Sequence, residues 1–351
     1  MGYRAYYNAP RTSEYLSANG KDGNTFDIRR VSIRTNVQFN EQSSWYNEVE
    51  YEDAGKDEIS IEESRFIYTH KPWLTFQAGL MIPQVTWTNV NHDGPTRKLV
   101  DRPLVDQLVI PSTYRDLGVG FTGVIPVLKR SAISYDFMVL NGLNDQYSAN
   151  GNDPISASVG FKGLRDLRAP ESDENSHLLD NNRNKAIYSR LGYMPFPGLS
   201  VGVASHYSKI DNLNRRALNI ISGDIQYRYK RFGMLMEYAT AIFNRGGNPS
   251  TTNVNGVPYG LFPSSLAGYY VETSYDINPK WTAIAAWNWV DLDQARSGNQ
   301  MYRWSSGVRY NPFKRVYLKA EYQFTSPRAR FNNVGQERYS NAFITQLTFA
   351  F

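Results

Sequence analysis

Large apolar residues alternate with small or polar residues in many stretches of this chain. In the last eleven residues, NAFITQLTFAF, positions 343, 347, 349 and 351 carry Phe or Leu, and positions 342, 346, 348 and 350 carry Ala, Gln or Thr. Ile344 is the exception there, as Ile284 is in the stretch 281–289. Side chains of a β-strand point alternately to two faces, so the pattern predicts strands with one apolar and one polar face. The same alternation is found in residues 25–40, 302–310 and 315–324.

The connections between these stretches are alternately short and long. The short ones are rich in Pro, Gly and Asn, which favour tight turns, and comprise residues 40–44, 70–72, 125–130, 194–198, 229–231, 276–280 and 311–314. The long ones comprise residues 9–24, 54–58 (a short member), 83–114, 141–183, 210–216, 243–265, 292–299 and 326–338. Short turns on one side and longer loops on the other are typical of outer-membrane barrels.

The count of connections sets the predicted number of strands. Seven short turns join fourteen strands, and an initial strand near residues 3–8 and a final strand at residues 340–351 bring the total to sixteen. Residues 59 and 61 are out of phase with residues 66 and 68, which predicts a β-bulge between them. We therefore predict an all-β fold, a transmembrane antiparallel β-barrel of 16 strands formed by residues 1–351 as a single domain. A β-sandwich with inward apolar faces is the alternative.

Composition agrees with a barrel and argues against membrane helices. Hydrophobic residues make up 41% of the 351 residues and the mean hydropathy is −0.51. The most apolar stretch, WTAIAAWNWV (residues 281–290), is far shorter than the roughly 20 residues of a spanning helix. Aromatic residues make up 14% of the chain, and Tyr and Trp favour membrane–water interfaces. The start, MGYRAYYNAP, lacks the apolar stretch of a signal peptide, so the expected location, the bacterial outer membrane, is inferred from the remainder.

Residues 83–114 follow the fifth predicted strand and form the third predicted outside loop. Their apolar residues, Leu99, Val100, Leu104, Val105, Leu108, Val109 and Ile110, require a surface to pack against. The barrel interior is the nearest shelter, so we expect this loop to fold inward and narrow the lumen. It carries Arg97, Lys98 and Arg102, with Arg115 at its exit. Basic groups in a narrow passage attract anions, because low-dielectric walls focus the field.

Further basic residues are expected on the inner face of the strands. The candidates for a pore or anion-binding role there are Arg30, Arg34, Arg303, Arg309 and Lys319. Acidic residues share that face, so two interpretations stay open: ion pairs across neighbouring strands, or a basic wall opposite an acidic wall. Arg30 and Arg34 face Glu48 and Glu50 across a hairpin, which favours pairing for those two. The net charge of +5 permits an anionic ligand but does not require one.

Three stretches resemble the phosphate-selective porin O and P family of bacterial outer-membrane porins. They are residues 26–54, residues 61–84 and VDRPLVDQLVIPSTYRDLGVGFTG at residues 100–123. Asp101-Arg102 matches the acid–Arg pair of that family's third loop, and the run from Arg115 to Val119 matches the entry into its next strand. The resemblance covers about the first third of the chain. It implies a sixteen-stranded porin, trimeric in most members, for small hydrophilic solutes with a preference for anions such as phosphate.

Other classes of function have weaker support. The four histidines lie in no hydrolase or zinc-protease motif, and Cys is absent, so we predict neither an enzyme nor a cofactor or metal. Residues 141–183 are rich in Asn, Asp and Gly but lack calcium-loop spacing, which favours a long extracellular loop. The expected partners are outer-membrane lipid and lipopolysaccharide, small solutes or anions, and two further copies in a homotrimer, with no nucleic acid. A general or cation-preferring porin, and a structural or partner-binding barrel, remain alternatives.

Overall fold

Strands account for nearly all of the regular structure. The computed structural model describes residues 2–7, 23–28, 30–52, 58–143, 164, 183–210, 214, 216–245, 253–254, 257–258, 264–294, 300–326 and 340–350. The first strands are β1 (Gly2–Tyr7), β2 (Gly23–Asp27), β3 (Arg30–Gln38), β4 (Ser43–Glu52), β5 (Glu58–Lys71), β6 (Leu74–Met81), β7 (Asp116–Leu128), β8 (Ser131–Leu140), β9 (Ala186–Phe196) and β10 (Leu199–Lys209). They are followed by β11 (Arg216–Tyr229), β12 (Phe232–Arg245), β13 (Asn253–Val254), β14 (Val257–Pro258), β15 (Ser265–Asp276), β16 (Trp281–Asp291), β17 (Gln300–Tyr310), β18 (Val316–Thr325) and β19 (Ser340–Phe349).

One antiparallel sheet contains seventeen of these strands, and β13 and β14 form a separate pair. Strands β3 to β12 pair in chain order, β12 pairs with β15, and β15 to β19 again pair in order. Strand β1 pairs with β2 on one side and with β19 on the other. β2 and β3 follow each other along the chain where one strand, residues 25–40, was predicted. The all-β antiparallel fold is therefore confirmed.

The seven predicted short turns all join neighbouring strands. They connect β3–β4, β5–β6, β7–β8, β9–β10, β11–β12, β15–β16 and β17–β18. We call the end of the sheet where they lie the turn end, and the opposite end the loop end. Of the predicted long loops, only residues 83–114 are fully described. Residues 9–22, most of residues 141–183 and 326–338, and Phe351 lie outside the described residues.

The bulge predicted in the strand after residue 58 lies at Glu62. Glu48 of β4 is opposite Glu63 of β5, whereas the next residue, Val49, is opposite Ile61. Skipping one residue changes which face each later side chain occupies. Consequently the apolar residues on both sides of the bulge share the outward face, and Glu62 and Glu63 both point inward, where they are buried.

The two faces of the sheet differ as predicted. Large apolar residues of β16 to β19 are exposed on the outward face, among them Trp281, Trp287, Trp304, Phe343 and Phe349. Outward rings stack near both ends of the strands: Trp281 with Tyr310 at the turn end, with centroids 4.4 Å apart, and Trp289 with Tyr269 toward the loop end, at 5.5 Å. Trp281 and Trp289 are eight positions apart, which corresponds to about 26 Å along the strand. This distance is close to the height of a barrel's apolar band. Among the described residues, no helix has the length and apolarity to cross a membrane.

Candidate functional site

The segment between β6 and β7, residues 82–115, packs against the inward face of the sheet. We call it the β6–β7 segment. It contains a short α-helix, α1 (Trp87–Val90), capped by the Thr86 side chain, and one turn of π-helix (Val105–Val109). All of its predicted apolar residues are buried. Most belong to one hydrophobic cluster with inward residues of the strands, including Ile284.

The two isoleucines that break the alternation are contact points for this segment. Ile344 of β19 is fully buried and clusters with Val100, and Ile284 of β16 lies in the cluster that contains Leu99 and Leu104. An inward apolar side chain would be poorly placed against water. These positions are therefore apolar because the β6–β7 segment covers them.

Acidic and amide side chains of the strands bind backbone groups of the segment. Glu237 of β12 accepts hydrogen bonds from the Thr88 amide at 2.7 Å and the Thr88 hydroxyl at 2.6 Å. Asn288 of β16 accepts one from the Leu104 amide at 2.9 Å. Glu321 of β18 accepts from the amides of Val100 and Asp101, at 2.7 and 3.1 Å. The segment is thus attached to three separate strands.

Two predicted pore lysines also attach the segment to the strands. Lys319 is 3% exposed, and its ammonium group donates hydrogen bonds to the carbonyls of Gly94 at 2.5 Å and Arg97 at 2.6 Å. Lys98 forms a 2.7 Å ion pair with Glu272 of β15. Lys319 therefore binds the backbone of the segment, and Lys98 is paired with an inward carboxylate. The role of both residues in the pore stays a prediction.

The predicted basic residues of β3 meet the segment at Asp93. Arg30 pairs with Glu50 at 3.2 Å and Arg34 with Glu48 at 3.0 Å, so the expected pairing across the hairpin is confirmed. Both guanidinium groups also pair with Asp93. The Arg34 side chain is 47% exposed, which makes it the most accessible arginine of this group.

Arg97 and Arg102 lie on the other side of the same site, near His92. Burial, followed by the positive charges of Arg102, Arg30 and Arg97, lowers the pKa of His92 well below its usual value, so this imidazole is neutral. Arg97 and Arg102 are 6% and 5% exposed. Arg102 donates to the hydroxyls of Ser112 at 3.2 Å and Thr113 at 3.0 Å, which ties the segment to itself. We call Arg30, Arg34, Arg97 and Arg102 the arginine cluster.

The remaining predicted basic residues are dispersed. Arg115 pairs with Glu62, the residue at the bulge of β5. The neighbouring acid, Asp116, accepts hydrogen bonds from the Tyr114 hydroxyl and the Leu117 and Gly142 amides. Arg303 is buried on β17 and donates to the Thr325 hydroxyl at 3.2 Å. Arg309 lies 4.0 Å from the centre of the Tyr317 ring at the turn end.

Asp106 is a buried carboxyl on the π-helical turn. Its carboxyl interacts with that of Glu237 on β12 and accepts a hydrogen bond from Thr86. Burial raises the pKa of Asp106 to about 6, against the opposing effect of Arg102 and Arg97. This acid therefore changes its protonation near neutral pH.

One group of side chains has the spacing of a metal site. Donor atoms of Glu50, His92 and Asp93 lie within 4.8 Å of one another. The guanidinium groups of Arg30 and Arg34 already neutralise these two carboxylates, and they would repel a bound cation. The residues present therefore fit a metal ion poorly.

No sequence pattern groups the four residues Asp93, His92, Asp106 and Glu237. The partners Arg34 and Asp93 are 59 residues apart, and Thr88 and Glu237 are 149 apart. No local motif connects residues at such separations. The one usable signal was the apolar residue at an inward position, as at Ile284 and Ile344.

Comparison with solved structures identifies the architecture. The anion-selective porin from Comamonas acidovorans matches with a TM-score of 0.62 and 11% identity, over 100% of this chain and 97% of that one. The fold is that of bacterial outer-membrane porins. Salmonella typhi OmpF in complex with daunomycin matches at a TM-score of 0.59, 10% identity and 100% and 96% coverage. The trimer form of OmpT from Vibrio cholerae matches at 0.56, 10% identity and 99% and 96% coverage.

Comparison of sequences adds one distant relative. An uncharacterized protein of Aquifex aeolicus (strain VF5) is 22% identical over 337 residues, which cover 84% of this chain and 70% of that protein. No family model matches the chain. The resemblance to the phosphate-selective porins O and P therefore stays a prediction. At 10–11% identity, the structural matches show the fold of this chain.

Proposed function

We propose that the protein is a water-filled channel of the bacterial outer membrane that passes small hydrophilic solutes and favours anions such as phosphate. The observation that carries this proposal is the arginine cluster, which brings together β3 and the β6–β7 segment. Basic groups at a constriction act on permeating ions by Coulomb attraction, and surrounding protein strengthens that attraction.

The proposed architecture is one barrel domain of sixteen strands. Counting β2 and β3 as one interrupted strand leaves sixteen in the main sheet, and the pairing of β1 with β19 supports a ring. In this barrel the β6–β7 segment is the constriction loop, and the loop end faces outside the cell. Contact of the outward face with lipid and lipopolysaccharide, and assembly into a homotrimer, are parts of the same proposal.

A general diffusion channel is the second candidate. The three carboxylates of Glu48, Glu50 and Asp93 face the two guanidinium groups of Arg30 and Arg34, so the formal charges of this part of the arginine cluster nearly cancel and leave one negative charge. Such a balance would give weak ion selectivity with solute size as the main filter. The anion preference then requires the two arginines of the segment, Arg97 and Arg102, in addition to Arg30 and Arg34.

Reversal potentials across a potassium chloride gradient test the proposal. We expect wild-type channels in a planar bilayer to favour chloride. Arg34→Gln should lower the anion-to-cation permeability ratio by about twofold to fivefold, because a charge at 4 Å contributes about 1 kcal/mol in water. Arg231→Gln, in the β11–β12 turn, is the matched control and should change the ratio less. Cation preference in the wild type, or an equal effect of both substitutions, would refute the anion role.

A further inference from the structure

A cavity at the turn end is lined by exposed apolar and basic side chains. It has a volume of about 520 Å³ and lies between the β7–β8, β9–β10 and β11–β12 turns, with Trp87 and Lys98 of the β6–β7 segment on its far side. This volume is within the usual 300–1,000 Å³ of small-molecule sites. We call it the turn-end cavity.

Exposed apolar side chains line this cavity on the inward face. Leu128 is 72% exposed, Phe196 47% and Met194 39%. Polar inward residues of other strands, such as Asn288 and Gln323, are instead hydrogen-bonded to the β6–β7 segment. Exposed apolar surface in a watery passage has a free-energy cost that a bound apolar group removes. The lining therefore favours a solute with an apolar part.

Basic residues border the apolar lining. Lys129 and Arg130 occupy the β7–β8 turn and are exposed, and Lys98 and Arg228 lie at other edges of the cavity. Lys98 and Arg228 have carboxylate partners, Glu272 and Asp276. Lys129 and Arg130 form no ion pair with any residue that the structure describes. They are therefore available to a carboxylate held at the cavity edge.

We propose that the turn-end cavity binds organic anions that carry an apolar body, such as aryl or medium-chain carboxylates, on their way through the lumen. The apolar body lies against Leu128, Met194 and Phe196, and the carboxylate faces Lys129 and Arg130. This inference rests on the proposed channel function but concerns a different wall from the arginine cluster. It makes the channel a facilitated route for amphipathic anions beyond simple inorganic ones.

Block of chloride current by three probes tests the site. We expect 4-phenylbutyrate, added from the turn end, to reduce current at a concentration about tenfold below butyrate or 4-phenylbutanol, because only it supplies both the apolar body and the charge. The double variant Lys129→Gln with Phe196→Gln should raise the half-blocking concentration of phenylbutyrate about tenfold. Equal block by all three probes, or no effect of the double variant, overturns the inference.

The chain offers a matched control in another short turn. Phe313 and Lys314 are exposed between β17 and β18 and do not line the cavity. Phe313→Gln with Lys314→Gln should leave phenylbutyrate block within about twofold of wild type. Loss of block in both double variants would show a non-specific effect and reject the site.

Binding without conduction separates this inference from the proposed function. If the reconstituted protein carries no current, the channel proposal fails by itself. Calorimetric titration of the detergent-solubilised wild type and the Lys129/Phe196 double variant with phenylbutyrate then decides the site. Heat of binding in the wild type that is lost in the variant supports it, and equal heats reject it.

Discussion

At the scale of single residues, the extra residue of the β5 bulge, Glu62, has its carboxylate on the inward face of the sheet. The bulge turns Glu62 inward beside Glu63, and Glu62 pairs with Arg115 at the exit of the β6–β7 segment. Their side chains are 7% and 6% exposed. A buried ion pair contributes little net stability as a pair, but removal of one member leaves a charge that neither water nor its partner stabilises.

We therefore expect Glu62→Gln to lower the free energy of unfolding by about 3–5 kcal/mol. The measurement is thermal unfolding in detergent, followed by circular dichroism. Arg228→Gln is the control, because the side chain of Arg228 in its pair with Asp276 is 57% exposed and such pairs contribute about 0–1 kcal/mol. Similar losses in both variants would contradict a special role for the buried pair.

At the scale of elements, the β6–β7 segment is attached to the sheet by both polar and apolar contacts. Hydrogen bonds connect it to β12, β16 and β18, and the buried cluster fills the space between them. Asp106 is the one charged residue of the π-helical turn. It faces Glu237 of β12, with Arg97 and Arg102 nearby.

Attachment of the segment should weaken as pH rises through about 6. Burial raises the pKa of Asp106 from its usual 3.8 to about 6, so the packed segment binds this proton more tightly than a detached one. The stabilisation from that proton is present at acidic pH and is lost as Asp106 ionises beside Glu237. His92, with its lowered pKa, stays neutral over this range.

Channel noise provides the measurement for that change. We expect open-channel current fluctuations to be smaller at pH 5 than at pH 8, and Asp106→Asn to remove most of the difference. Glu41→Gln, an exposed acid in the β3–β4 turn, should keep it. A pH effect that persists in Asp106→Asn would assign the titration to another group.

At the scale of the whole molecule, the proposed barrel closes through the pairing of β1 with β19. β1 pairs with β19 over six positions from Gly2–Gln346 to Tyr7–Asn341. An open sheet would leave two unpaired edges, which promote aggregation. Pairing with β1 gives the backbone groups of β19 partners on this side.

Engineered cysteines test closure directly, because the chain has no native cysteine. Ala5 lies opposite Phe343 and Tyr3 opposite Thr345, and Cα atoms paired across strands are within the range that a disulfide bridges. We expect at least one of the pairs Ala5→Cys/Phe343→Cys and Tyr3→Cys/Thr345→Cys to cross-link on oxidation. Ala5→Cys with Leu347→Cys is the out-of-register control. Absence of cross-links in both matched pairs would indicate an open sheet.

The sequence by itself determined the strands, their turns and their two faces. Apolar and polar residues alternate with a period of two in a strand, so about ten consecutive residues are enough to recognise the pattern. The short turns are likewise recognised from the few residues that form them. For the same reason the phase slip that marks the Glu62 bulge was visible before the structure. Ile284 and Ile344 interrupt the alternation in the sequence. No pattern in the neighbouring residues predicts that the β6–β7 segment packs on them.

Only the tertiary structure decided the charge contacts beyond the β3–β4 hairpin. Lys319 donates hydrogen bonds to backbone carbonyls of the β6–β7 segment. Asp93 forms ion pairs with Arg30 and Arg34, and Arg115 forms one with Glu62. A charge is stabilised by whichever opposite charge or dipole lies within a few ångströms. In this fold those neighbours come from strands and loops that are up to 225 residues apart in the chain, a separation that no local pattern encodes.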